Sequence, residues 1–175
     1  MATIGLDRLS KSECFAGLSE EQVGRITECG AVREYETGDV IFEESSQSSD
    51  MFVLLSGRVC VEIDAPSEAG GDHEHLQLAI LRDGDVFGEI AFLEGRRRSA
   101  RIRALDNAVA LNLDGKKLYS LFDNDPRLGY RVISNLARVL AQRVVDVNFK
   151  WRQDHGTQGV VAGAAAQPVP NSFRR

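Results

Sequence analysis

The sequence predicts a mainly β domain with flanking helices, of the α+β class, and three observations lead to this prediction. Between residues 31 and 113 the apolar residues alternate with polar or small ones, as they do in half-buried strands. Glycines interrupt that region at intervals typical of turns between short strands, which favours a closed roll or barrel. In residues 1–30 and 114–152 the apolar residues instead follow a helical period, which indicates helices before and after the roll.

Composition indicates an ordinary globular protein. The chain has 175 residues, enough to bury one core, and its net charge of −5 argues against a protein built to coat nucleic acid. It contains no apolar stretch of membrane-spanning length, and its first residues do not resemble a signal peptide. We therefore expect a cytoplasmic protein without a membrane partner. Cys14, Cys29 and Cys60 show neither pairing nor metal-ligand spacing, so they are predicted to be reduced, partly buried thiols.

Residues 1–30 are expected to form N-terminal helices. The apolar residues of this region include Leu6, Leu9, Phe15 and Leu18. Ser19 begins the sequence Ser-Glu-Glu-Gln, which is typical of a capping box at the start of a helix. The apolar residues Val23 and Ile26 follow it and would face the core.

Four segments of the central region alternate most clearly, and each predicts a half-buried strand. They are Val40/Phe42, Val59/Val61/Ile63, Leu76/Leu78/Ile80 and Val109/Leu111/Leu113. Between the second and third of these, the sequence Ala-Pro-Ser-Glu-Ala-Gly-Gly-Asp at 65–72 predicts a flexible hairpin tip.

The helical period returns after Leu113. Asp114 is a predicted N-cap, and Asp125 followed by Pro126 predicts the start of a long helix. The apolar seam of that helix consists of Ile133, Leu136, Leu140, Val144, Val147 and Trp151. Residues 153–175 are predicted to be a disordered tail, since they are rich in Gly, Ala, Gln and Pro and have no apolar period.

The segment 87–100 carries the residue types that a bound phosphodiester requires. Gly88 and Gly95 allow tight turns and leave no Cβ in the way of a ligand. The short helix expected between them, Ile90–Leu93, would begin with unpaired N–H groups, where the helix dipole also favours an anion. Arg98 can grip two phosphate oxygens with one guanidinium. Because Glu89 repels a phosphate, its carboxylate is expected to accept a hydrogen bond from a neighbouring ribose hydroxyl.

This spacing resembles the phosphate-binding cassette of cyclic nucleotide-binding domains. The family pattern is F-G-E-x-A-x-x-x-G followed by R-[ST/A]-A, and the matching residues are Phe87, Gly88, Glu89, Ala91, Gly95, Arg98, Ser99 and Ala100. The flanks at 35–42, 51–59 and 81–86 also resemble the family, so the resemblance covers residues 13–150. It implies an eight-stranded antiparallel β-roll, or jelly roll, with N-terminal helices and a long C-terminal helix. The binding domain is accordingly predicted at residues 1–152, with N-terminal helices at 1–30, the roll at 31–113 and C-terminal helices at 114–152.

The resemblance also implies a role for each site residue. Arg98 and Ser99 would hold the exocyclic phosphate oxygens, and Glu89 would accept the ribose 2′-hydroxyl. The backbone amides of Ile90 and Ala91 would assist, within a cassette that also contains Phe87, Gly88 and Ala100. The apolar wall around sugar and base would consist of Leu78, Ala79, Val86 and Phe87. The lid residues on the C-terminal helix would be Arg143, Val144 and Val147.

The resemblance favours cAMP as the ligand. Family members selective for guanine often carry Thr where this chain has Ser99, whereas serine there is common in bacterial cAMP receptors. The lid sequence Arg143-Val144-Val145 differs from the hydroxyl residues that bacterial activators place against adenine. cGMP and a cyclic dinucleotide are therefore the alternatives.

The predicted function is that of a regulatory sensor domain, which couples nucleotide binding to movement of the C-terminal helix. In the transcription factors of this family a helix-turn-helix module follows the long helix, and residues 153–175 do not resemble one. We therefore expect a stand-alone sensor that signals to a separate protein effector and does not bind nucleic acid. No catalytic residue, metal ligand or cofactor is predicted. The apolar seam of the long helix is compatible with a homodimer and equally with packing onto the roll.

Two other functions were weighed against this prediction. The arginines at 96, 97, 98, 101 and 103 suggest nucleic-acid binding, but Arg101 and Arg103 alternate with Ile102 and Ala104 and are therefore expected to face solvent from a strand. The pair His73 and His75 suggests a metal-binding enzyme of the cupin type. The third histidine, His155, lies beyond the long helix, so the pair is predicted to be solvated loop histidines.

Overall fold

In the computed structural model of the chain, the described residues are Leu9, 11–65 and 74–155, with the backbone alone described at 154 and 155. A 3-10 turn at Glu13–Phe15 precedes the first helix. The helices are α1 (Glu20–Thr27), α2 (Glu89–Glu94), α3 (Gly115–Asn124) and α4 (Pro126–His155). The strands are β1 (Gly30–Tyr35), β2 (Val40–Phe42), β3 (Met51–Ser56), β4 (Val59–Ala65), β5 (Glu74–Leu81), β6 (Val86–Phe87), β7 (Arg101–Ala104) and β8 (Ala108–Leu113).

The eight strands of the described residues form two four-stranded sheets. Their orders are β1-β8-β3-β6 and β2-β7-β4-β5, and neighbouring strands are antiparallel throughout. With helices before and after the sheets, this confirms the predicted mainly β fold with an eight-stranded antiparallel roll. Glycines with positive φ occupy turns at Gly38, Gly57 and Gly84, as the sequence predicted.

Two clusters of buried apolar side chains stabilise the sheets and the helices packed on them. One joins the first sheet to the helices and includes Met51, Leu111, Phe92 and, from the first half of α4, Leu128 and Leu136. The other is formed by residues of both sheets: Phe52, Leu54, Val59, Leu81, Phe87, Ile102, Ala104, Ala108 and Ala110. The second cluster matters for function because it lies against the segment 87–100.

The predicted helix starts are confirmed. The Oγ of Ser19 accepts from the Gln22 amide, and the Gln22 side chain accepts from the Ser19 amide in return, which is a complete capping box. Asp114 accepts from the Lys117 amide at 3.0 Å, and Asp125 accepts from the Leu128 amide at 3.1 Å.

One strand differs from its predicted burial. Leu76, Leu78 and Ile80 were expected to be half-buried, but all three side chains are exposed. Among the described strands β5 pairs with β4 alone at the edge of its sheet, so neighbouring strand side chains flank these three residues on one side only. Alternation in the sequence identified the strand and could not identify its place in the sheet.

The chain divides into two compact units, Met1–Leu140 and Ala141–Arg175. In the second unit the described residues are helical and include the exposed side chains of Val144, Val147 and Trp151. Helix α4 continues to His155, three residues past the predicted end of the helical region. The rest of the predicted tail, the predicted hairpin tip after Ala65 and most of residues 1–10 lie outside the described residues. None of the described helices is both long and apolar enough to cross a membrane.

Candidate ligand-binding site around Arg98

The segment from Phe87 to Arg98 folds as strand end, turn, short helix and second turn. Strand β6 ends at Phe87, and Gly88 adopts a left-handed conformation with φ 75° before α2 begins. Gly95 ends α2 in the same conformation with φ 66°. The helix exceeds the predicted Ile90–Leu93 by one residue at each end. The two glycines are therefore required by backbone geometry, since other residues rarely adopt these angles.

Gly88 also makes room for the arginine. A Cβ at this position would lie 2.6 Å from the Nη1 of Arg98 and 3.0 Å from the carbonyl oxygen of Asp50. At Gly95, by contrast, a Cβ would meet nothing within 4 Å. A side chain at 88 would thus displace the guanidinium, whereas one at 95 would strain only the backbone.

The backbone of Arg98 is held by a neighbouring loop. Its N–H donates to the carbonyl of Ser46 and its carbonyl accepts from the amide of Ser45, both at 2.9 Å. The Arg98 side chain is only 3% exposed, and its Nη1 donates to the carbonyl oxygen of Gly88 at 3.1 Å. The arginine is therefore aimed at the turn that begins α2.

The guanidinium of Arg98 is buried without a close counter-ion. Its Nε is buried and has no hydrogen-bond partner, and Arg98 takes part in none of the ion pairs found among the described residues. Burial lowers the pKa of Arg98, and the more distant negative charges of Asp50 and Glu89 oppose that shift. A buried cation and a buried N–H without an acceptor both cost free energy in the folded chain. An anionic ligand would supply the counter-charge and the hydrogen-bond acceptor.

Two aromatic rings lie close to the guanidinium. The Cζ of Arg98 lies 4.2 Å from the ring centroid of Phe42 and 5.7 Å from that of Phe52. The Phe52 ring stacks in turn on Phe87 at 4.9 Å between centroids. Phe42 was not predicted as a site residue, because one aromatic residue in an alternating strand carries no signal of what it will contact.

The other predicted cassette residues differ in burial. Val86, Phe87, Glu89 and Ala91 are buried, whereas Ile90 and Ser99 are exposed and Ala100 is half-buried. The amides of Ile90 and Ala91 fall in the first turn of α2 and have no acceptor within that helix. The chain thus places a buried carboxylate, a buried guanidinium and first-turn amides around one glycine turn.

The predicted apolar wall is only partly buried. Ala79 is half-buried and pairs with Val61, while Leu78 is exposed at the bulge that interrupts the pairing of β4 with β5. The predicted lid residues Arg143, Val144 and Val147 belong to the second compact unit, and their role stays a prediction.

The environment of the next two arginines corrects a prediction. Arg101 and Arg103 were expected to face solvent, but both are half-buried against the carboxylate of Glu62, itself 4% exposed. Arg103 donates through Nε to Glu62 Oε1 at 3.0 Å, and its Nη2 contacts the same oxygen. The Nε of Arg101 makes no hydrogen bond but lies 3.3 Å from Glu43, so it has a counter-ion. Alternation placed these side chains on the outer face and could not reveal the carboxylate on β4.

Other features of the surface do not extend the site. An open depression of about 770 Å³ is lined by Gln47, Ser48, Ser49, Glu94, Gly95, Arg96, Arg97 and Lys116. Of these residues only Gly95 belongs to the predicted cassette, where its predicted role is to form a turn. His75 lies 2.9 Å from Asp64, and His73 is outside the described residues. In the part of the chain that the structure describes, His, Cys, Asp and Glu form no group of three placed to hold a metal.

Comparison with known proteins identifies a family. The sequence profile described as "cyclic nucleotide-binding domain" matches residues 32–125, more than half of the chain. Glutaminase 1 of Bradyrhizobium diazoefficiens is 30% identical over 142 residues, which are 81% of this chain and 22% of that protein. Human cGMP-dependent protein kinase 2 is 37% identical over 93 residues, which are 53% of this chain and 12% of the kinase. The chain spans less than a quarter of the length of either relative.

A solved structure agrees with the fold. The crystal structure of a cyclic nucleotide-binding domain from Methylobacillus flagellatus superposes with a TM-score of 0.74 and 23% identity. The superposition covers 91% of this chain and 85% of that one. At 23% identity this similarity shows a shared fold.

Proposed function

This chain belongs to the cyclic nucleotide-binding domain family, and we propose that it is a sensor whose ligand is cAMP. One observation carries the proposal: Arg98, a residue that is 3% exposed beside a glycine turn, has a buried Nε with no hydrogen-bond partner among the described residues. A cyclic phosphate would supply the missing acceptor and the missing counter-charge at once. Glu89 would accept the ribose 2′-hydroxyl, and Ser99 would share the phosphate with Arg98.

The burial of Arg98 also supports a conformational response. Because Arg98 is 3% exposed and its Nε is buried, phosphate oxygens would reach Nε only after neighbouring side chains shift. A ligand that favours the shifted state moves the equilibrium by its difference in affinity for the two states. We propose that this shift extends to α4, whose residues Arg143, Val144 and Val147 would close over the base and signal to a protein effector.

The similarity to an enzyme is compatible with this proposal. The matched segment is only 22% of Glutaminase 1, so the similarity gives no reason to assign that enzyme's activity to this chain. One relative favours a second ligand, because the 37% identical kinase is named as cGMP-dependent. Ser99 in place of threonine is the feature that leads us to prefer cAMP.

Calorimetric titration of the purified chain with cAMP, cGMP and a cyclic dinucleotide tests the proposal. We expect saturable binding with cAMP the tightest of the three. Hydrogen exchange of α4 with and without cAMP tests the coupling, and we expect the amides after Leu140 to change their protection. Absence of binding by all three nucleotides would overturn the proposed function.

A further inference from the structure

The contact between Arg98 and Phe42 is unusual in its position. The guanidinium carbon lies 4.2 Å from the Phe42 ring centroid, close enough for a cation–π interaction, and Arg98 forms no ion pair with any residue that the structure describes. Phe42 ends strand β2, and the loop that follows it holds the Arg98 backbone through Ser45 and Ser46. One short segment therefore holds both the main chain and the side chain of the arginine.

We infer that Phe42 is a positioning residue, which holds the orientation of the Arg98 guanidinium so that its Nε edge meets the phosphate once the covering side chains have shifted. The inference rests on the proposed function and concerns the same site. The Phe42 ring supports one face of the planar guanidinium, and Nη1 donates a hydrogen bond to the Gly88 carbonyl oxygen at 3.1 Å. The Nε edge is then left for two oxygens of a ligand, as in a bidentate arginine–phosphate pair.

The chemistry of the ring explains why an aliphatic residue would not serve equally well. An aliphatic side chain would fill space but would offer the cation no negative face. Without that face the Arg98 side chain would sample other rotamers. Binding would then have to restrict it to one rotamer, and the lost side-chain entropy would weaken affinity. We therefore expect Phe42→Leu to weaken cAMP binding about three- to tenfold.

The experiment combines affinity with a spectroscopic signature. cAMP affinity is measured by calorimetry for the wild type, Phe42→Leu, Phe42→Tyr and Ile41→Val. Phe42→Tyr keeps an aromatic face beside Arg98, and Ile41→Val removes packing from the same cluster while leaving the Phe42 ring in place. Both are expected to remain within about twofold of the wild type. In ligand-free protein with ¹⁵N-labelled arginine, the Arg98 Nε–H signal, assigned by its loss in Arg98→Lys, should move in Phe42→Leu and be retained in Phe42→Tyr.

The outcomes separate the two proposals. If the wild type binds cAMP and Phe42→Leu binds it equally well, the positioning role is overturned while the proposed function stands. Equal weakening in Phe42→Leu, Phe42→Tyr and Ile41→Val, or an Arg98 signal indifferent to Phe42→Leu, would also overturn it, since either result indicates packing alone. If the wild type binds no cyclic nucleotide, the proposed function fails and this inference fails with it.

Discussion

Arg98 and Arg103 lie close in sequence and occupy opposite electrostatic environments. Arg103 is hydrogen-bonded to the Glu62 carboxylate, which raises the pKa of Arg103 and lowers the pKa of Glu62. Arg98 has a backbone carbonyl and an aromatic face but no ion pair among the described residues, and burial lowers its pKa. The charge of Arg103 is thus balanced by a carboxylate of the same chain, whereas the charge of Arg98 has no such partner among the described residues.

The difference indicates which arginine stabilises the chain and which serves a ligand. A buried carboxylate held by two arginines contributes to the folded state, and removal of a partner leaves it uncompensated. An unsatisfied buried cation weakens the folded state and is retained where function requires it. The predictions below use substitutions that should separate these two roles.

The largest expected effect is the loss of binding in Arg98→Ala. Removing one partner of a buried charge pair costs about 2–5 kcal/mol, or roughly thirtyfold to several thousandfold in affinity. Calorimetry with cAMP should show that loss, and circular dichroism should show a folded domain. Arg103→Ala is the matched control and should bind within a few-fold of the wild type. Near wild-type affinity in Arg98→Ala would refute its assignment to the phosphate.

Arg103→Ala should instead weaken folding. It removes charge-assisted hydrogen bonds to Glu62, and such bonds contribute about 1.5–3 kcal/mol each. Urea unfolding at neutral pH should show a loss of about that size, moderated by Arg101, whose Nη1 lies 3.8 Å from the same carboxylate. An unchanged free energy of unfolding would show that the Glu62 cluster is not structural.

Glu89→Ala should weaken ligand binding less than Arg98→Ala does. A hydrogen bond between a hydroxyl and a carboxylate is worth about 1.5–3 kcal/mol, which corresponds to roughly ten- to 150-fold in affinity. The wild type should show a loss of similar size for 2′-deoxy-cAMP, and Glu89→Ala should no longer distinguish the two nucleotides. If the wild type binds both equally, Glu89 does not contact the ribose hydroxyl.

The two glycines of the cassette provide a smaller and sharper comparison. Both have positive φ, so alanine at either should cost about 1–2 kcal/mol of backbone strain. Only at Gly88 would the added Cβ collide with the Arg98 guanidinium. Gly88→Ala should therefore lose cAMP affinity, whereas Gly95→Ala should lose stability alone. Calorimetry and urea unfolding of both variants measure this, and equal affinities would contradict it.

The smallest effect concerns the pH dependence of stability. The hydrogen bond from Arg103 lowers the pKa of Glu62 from its ordinary 4.5 in the folded chain. The pair therefore contributes stability above that ordinary value, and this contribution is lost as pH falls through the lower folded pKa. Urea unfolding across this acidic range should show a steeper decline for the wild type than for Arg103→Ala. Parallel declines would mean that the hydrogen bond from Arg103 does not lower the pKa of Glu62 in the folded chain.

Local signals in the sequence predicted much of the fold and the cassette. The capping box, the turn glycines and the segment from Phe87 to Arg98 depend on neighbouring residues, and the structure bears out their local geometry. The pairing of Arg103 with Glu62, the exposure of β5 and the ring of Phe42 beneath Arg98 depend on how distant strands meet. Periodicity indicates which face a side chain occupies and does not indicate what lies opposite.

The Nε–H signal of Arg98 in ¹⁵N-arginine-labelled wild type, followed during a titration with cAMP, tests the central claim most directly. We expect the Arg98 signal to shift and its exchange with water to slow as the phosphate takes the unused hydrogen bond, while the Arg103 signal stays in place. A nucleotide that binds and leaves Arg98 unmoved, or moves Arg103 instead, would contradict the account.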